Sequence, residues 1–176
     1  MINKLVVALI VTILSFHAYG QKEIDIADNP SFFDRVYVGG NVSMQFGTFT
    51  YLELSPLAGY MITNMFSAGL GVTYRYISIR DVDFNTSIYG GRVFARHNLG
   101  EQFFLYTEYE SLRNELRFGD GTRREWVPGF FVGGGLFQPI GNSGVGFAVT
   151  ALYNFSYDEI RSPYNSPWVF RVGFTL

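Results

Sequence analysis

Seven charged residues of this 176-residue chain fall where a strand would turn them away from its apolar face: Glu53, Arg75, Arg92, Arg96, Glu108, Glu110 and Arg171. Four cations beside three anions can do one of two things. Paired, they make a buried salt-bridge network, because an isolated buried ion is far too costly to leave alone. Strung along a water path, they make a narrow conduit for ions or protons. The desolvation cost favours pairing. Glu53 and Arg75 are equidistant from Asn64, and Arg92 and Glu108 are equidistant from Gly100. Tight turns centred there would set each acid directly opposite its base.

Other chemistry is thinly supplied. The chain has no cysteine, which removes disulfides, thiol nucleophiles and thiolate metal sites. His97 is the one histidine beyond residue 20, and its parity turns it outward near a strand end. Asp81 with Asp83, or Asp158 with Glu159, could hold a hard cation weakly, but a solvated loop is the better expectation. No catalytic, cofactor-binding or metal residue is assigned, and no cofactor is expected.

The elements that must position the seven charges are strands. The final stretch alternates without a break, with Trp168, Phe170, Val172, Phe174 and Leu176 on one face and Val169, Arg171, Gly173 and Thr175 on the other. Large apolar side chains on one face and an arginine on the other suit a membrane barrel, greasy toward lipid and polar toward the lumen. The same alternation recurs in seven earlier runs, about 35–46, 48–62, 66–79, 85–98, 102–116, 126–138 and 145–157. The run 126–138 is the least regular, because Phe130-Phe131 and Gly133-Gly-Gly135 blur the period. Pro56 lies inside the second run and predicts a bulge or an unpaired position. The connections at 63–65, 99–101 and 139–144 are short. Those at Arg80–Phe84, Arg117–Arg124 and Asp158–Pro167 are longer and polar, and are expected to form the exposed external surface.

Ahead of the strands, residues 5–16 are apolar apart from Thr12 and Ser15, with Lys4 before them and Ala18 and Gly20 after. That makes 1–20 a signal peptide cut before Gln21 rather than a membrane anchor, since a spanning helix needs roughly 20 apolar residues. Residues 21–34 read as a periplasmic lead-in and 35–176 as the barrel. Without Lys4 the chain keeps twelve basic and fifteen acidic residues, a balance that argues against nucleic acid as a partner.

The pattern is all-β: an eight-stranded antiparallel up-and-down transmembrane barrel. Val36-Tyr-Val-Gly-Gly40, Leu54-Ser-Pro-Leu-Ala-Gly-Tyr60 and Ser67-Ala-Gly-Leu-Gly-Val-Thr-Tyr74, with the aromatic terminal strand, resemble the small outer-membrane barrels of Gram-negative bacteria. The class is typified by OmpX and the membrane domain of OmpA, and the motifs are similar to small barrels of Bacteroidota. The resemblance implies a monomer in the cell outer membrane, with lipid around it and the barrel assembly machinery engaging its C-terminal strand. Leu176 departs from the phenylalanine on which many such chains end.

The class has structural and surface-interacting members, narrow porin-like pores and lipid-modifying enzymes. Lipid A deacylases among them use a His-x-Ser arrangement, which fails here because Leu99 follows His97 by two. The expected role is structural or surface-interacting, through an external ligand the sequence does not name. Tyr74, Tyr76, Tyr89, Trp126 and Trp168 beside the long loops, and Tyr60, Phe66, Phe103 and Phe174 near the short turns, read as two interfacial girdles. In a soluble lipocalin-like barrel, the alternative fold, such aromatics would line a cavity instead.

Overall fold

The computed structural model describes residues 30–45, 49–80, 84–118, 121–140 and 145–175. The proposed signal peptide and most of the lead-in lie outside the described residues, as do Asp81–Asp83 and Leu176. A single 3-10 turn at Phe33–Arg35 leads into β1 (Val36–Gln45), β2 (Phe49–Met61), β3 (Phe66–Ile79) and β4 (Phe84–Leu99). β5 (Phe103–Phe118), β6 (Gly121–Pro139), β7 (Gly146–Asn154) and β8 (Trp168–Thr175) complete the chain. Each strand pairs antiparallel with the next, and β8 returns to β1, closing an up-and-down barrel in the order β1 to β8.

Period two sends alternate side chains to opposite sides of the wall. Outside stand Val42, Leu54, Leu70, Val93, Leu105, Val132, Val149 and Val172, one from each strand and all exposed. Inside stand Tyr37, Phe94, Phe104, Leu112, Phe131 and Leu152, all buried, together with the charges. The doublet that blurs β6 resolves cleanly, Phe130 outward and Phe131 inward with no exposure. Pro56 makes no bulge: it faces Gly40 of β1 and is unpaired only on its β3 side. The β2–β3 register skips Ser55 and Pro56 and resumes at the same offset from Leu57↔Gly71. Proline has no N–H to give the ladder.

Three expectations need correction. The stretch Arg117–Arg124 is not a loop. β5 runs on to Phe118 and β6 starts at Gly121 rather than 126, so the two make one long hairpin paired down to Phe118↔Gly121. Polar strands can pair where no face needs burying, and Arg124 Nε lies 3.1 Å from Glu115 Oε2 across this hairpin. β7 stops at Asn154 rather than 157, because the Asn154 side chain accepts from the Ser156 N–H at 3.0 Å and starts a turn there. The third correction is the β4–β5 register. Leu99 faces Phe103, which centres the turn on Glu101 instead of Gly100. Gly100 opens the turn at φ +74, a left-handed conformation that glycine adopts without strain. Arg92 therefore faces Glu110, and Phe94 faces Glu108.

The wall is uneven. β5 and β6 share an unbroken ladder, whereas among the described residues β1 and β8 pair only at Gly39↔Thr175 and Gly40↔Phe174. That seam is built on glycine. A Cβ on Gly173 would come within 2.9 Å of the Gly40 carbonyl oxygen, so the strands close here only because these positions carry no side chain.

Candidate functional site

All seven charges point into the lumen, and the barrel brings six of them together. Glu53 and Arg75 sit directly opposite on β2 and β3, with Arg75 Nε 2.9 Å from Glu53 Oε2. Tyr51 and Ser55, each two residues along the same face of β2, donate their hydroxyls to the Glu53 carboxylate. Glu108 on β5 is the most enclosed acid, with no side-chain exposure. Arg171 of β8 forks onto it, Nη1 donating to both oxygens at 2.8 and 3.0 Å. Arg92 of β4 adds a looser ion pair at 3.6 Å, and the Tyr106 hydroxyl donates to the same carboxylate at 3.0 Å. Arg92 is held mainly by the Ser55 carbonyl oxygen, 2.9 Å from its Nη2. The turn shift explains this geometry: Arg92 reaches Glu108 along a diagonal rather than straight across.

Glu110 faces Arg92 in the ladder but bonds elsewhere. Its partner is Tyr164, which donates its hydroxyl to Glu110 Oε1 at 2.7 Å. The Tyr164 hydroxyl oxygen in turn accepts from Arg75 Nη2 at 2.8 Å and from Arg171 Nη2 at 3.2 Å. The Arg75 guanidinium also lies over the Tyr164 ring at 4.5 Å, and Phe131 packs edge-on to it. One phenol thus joins the Glu53–Arg75 pair to the Glu108–Arg171 cluster. Burial pushes the Tyr164 hydroxyl up to about 12, so it stays a neutral donor at ordinary pH.

Tyr164 belongs to the segment Asp158–Pro167, which was expected to be exposed surface. That expectation holds for Asp158, Glu159, Ile160, Arg161 and Asn165, which are exposed. Tyr164 instead turns into the barrel mouth, because a phenol able to satisfy two arginines and a glutamate is worth more there than in water. Arg161 ties the segment to the tall hairpin through Glu125 Oε2 at 3.2 Å, and its carbonyl accepts from Asn114 Nδ2 at 3.2 Å. Tyr164 is the residue that sequence reasoning missed. The only sign of it was an aromatic between two prolines in an otherwise polar loop.

Arg96 stands apart. It occupies the end of the lumen nearest the short turns, and among the described residues no carboxylate lies within ion-pair distance of it. Its Nε donates to Asn98 Oδ1 at 2.9 Å, and its guanidinium lies 4.1 Å over the Phe104 ring and 5.5 Å from that of Phe137.

The nine girdle aromatics all project from the outer face. Phe66, Tyr74, Tyr89, Phe103, Trp126, Trp168 and Phe174 are exposed, while Tyr60 and Tyr76 are half-buried. Tyr89 meets Trp126 edge-on, Phe32 stacks on Tyr60, and His97 is exposed beside Phe66. Among the described residues no three His, Asp or Glu side chains gather as metal ligands would.

Fold and site together define a closed eight-stranded up-and-down barrel with an apolar exterior and a charged lumen. Compared with protein-family models, curated proteins and solved structures, the chain matches none of them.

Proposed function

We propose that this chain is a monomeric outer-membrane barrel of a Gram-negative bacterium, with a structural or surface-interaction role and no catalysis of its own. The observation that carries this reading is the inverted distribution of polarity. Every strand offers large exposed aliphatic or aromatic side chains outward, while the most buried side chains include Glu108, Glu110 and Arg92. Soluble monomers rarely expose contiguous apolar surface beyond a few hundred Å². A lipid bilayer is the solvent that suits such a belt. The short turns would face the periplasm, and the β5–β6 hairpin with the outer side of Asp158–Pro167 would face outward. Arg123, Arg124, Glu115 and Glu125 give that external surface mixed charge.

Trp126 and Trp168 are the two tryptophans of the chain, 53% and 55% exposed on the outer face. After refolding into vesicles of brominated phospholipid, both should lose most of their fluorescence relative to ordinary lipid. Variants carrying one tryptophan at a time would assign the loss to each. Unchanged emission from both would return the fold to a soluble barrel.

Phe131, Leu112 and Leu152 have no exposure and cross the lumen beside the Glu108 cluster. Eight strands give an interior that side chains just fill. In planar bilayers the purified protein should therefore show no steady conductance of porin size. Reproducible channels whose ion selectivity changed on replacing Arg92 or Glu108 would make the cluster a filter and the protein a narrow pore.

A further inference from the structure

Between the Glu108 cluster and the short-turn end, the lumen is not filled. A cavity of about 60 Å³, open at its mouth, lies there among β1, β2, β4, β5, β7 and β8. Arg92, Arg96 and Arg171 line it, and no acidic residue does. Arg92 and Arg171 share Glu108 on their far side, so their charge is answered. That of Arg96 is not. Among the described residues the lumen carries four arginines and three glutamates, and Arg96 is the cation left over.

The Arg96 guanidinium is also held in place. Asn98 fixes its Nε, and the rings of Phe104 and Phe137 fix its plane. Its two terminal nitrogens donate to nothing among the described residues. A guanidinium so constrained presents one free edge with two parallel donors, the geometry that matches a carboxylate in a bidentate pair. Fixing the donor beforehand removes an ordering cost that binding would otherwise meet. Leu57, Phe94, Leu152 and the Tyr106 ring give the cavity its apolar walls. Apolar walls with a few fixed polar groups are the makeup of sites where small ligands bind.

We propose that this cavity binds a small aliphatic monocarboxylate, its carboxylate on Arg96 and its short apolar body against Phe94 and Leu152. Occupancy would bring the lumen to charge balance. Phosphate offers the anion without the body, and a neutral alcohol offers the body without the anion.

Propionate, 1-propanol and inorganic phosphate separate these contributions when titrated calorimetrically into the full-length protein in non-ionic detergent. Propionate should bind saturably, and both controls should bind at least about tenfold more weakly, the scale of a charge-assisted hydrogen bond or of a buried ethyl group. Arg96→Gln should lower propionate affinity by about tenfold or more. Ala148→Leu fills the cavity from β7 without touching a charge and should lower it as well. Equal binding of 1-propanol, equal binding of phosphate, or wild-type affinity in Arg96→Gln would overturn the proposal. Should a variant not fold, the wild type still decides. Propionate must shift the Arg96 Nε–H resonance and leave that of Arg75 in place, and no shift at Arg96 would end the case for this site.

Discussion

Replacing Glu108 by glutamine should destabilise the barrel by about 3–5 kcal/mol, the cost of leaving buried charge uncompensated. The size follows from how many groups depend on one carboxylate. Arg171 forks onto it, Arg92 pairs with it and Tyr106 donates to it, in a place where Glu108 itself has no exposure. Glutamine keeps the volume but removes the charge and one acceptor. Two arginines would then share a lumen already one positive charge in excess. Urea unfolding of protein refolded into lipid vesicles measures the change, with Glu101→Gln in the exposed turn as the control. A loss below about 1 kcal/mol, the range of surface pairs, would mean that water reaches the cluster and screens it.

The Glu53–Arg75 pair should respond differently, because here one acid meets one base. Glu53→Gln and Arg75→Met should each cost about 3–5 kcal/mol, since each strands a buried partner. Together they should cost much less than their sum, as replacing both members of a buried pair by groups of similar volume is often close to neutral. The double-mutant cycle reads that coupling directly. Arg75 also serves Tyr164, so part of its loss should survive in the double variant and be absent from Glu53→Gln alone. Strict additivity would show that the two side chains do not interact, and the bond at 2.9 Å would carry no energetic weight.

The wall was legible in the sequence because burial on one face and exposure on the other impose period two on every strand. Even Phe130-Phe131, where two aromatics in succession hid the period, obeys it once β5 and β7 fix the register. Partner choice was less legible. Moving the centre of the β4–β5 turn from Gly100 to Glu101 keeps Arg92 on the lumen face but gives it Glu110 as its direct neighbour. A turn centre misjudged by one residue shifts the ladder by two, which alternation does not detect. Polarity misled the reading at 117–124, because composition separates buried from wet backbone, not strand from loop. Tyr164 was out of reach for another reason. Its place is dictated by Arg75, Arg171 and Glu110, which lie far from it along the chain, and a loop has no period to betray the coupling.

The seam between β1 and β8 gives the barrel an order of events in time. Hairpins such as β5–β6 join residues close along the chain and need little loop closure to begin. The pairs Gly39↔Thr175 and Gly40↔Phe174 join the two ends of the described chain, so their entropic cost is the largest and falls due last. Until then the other seven ladders can all be in place as a curled ribbon with two free edges, each able to accept a strand. The glycines that let the edges meet so closely make closure a late, small step, and the first to reverse.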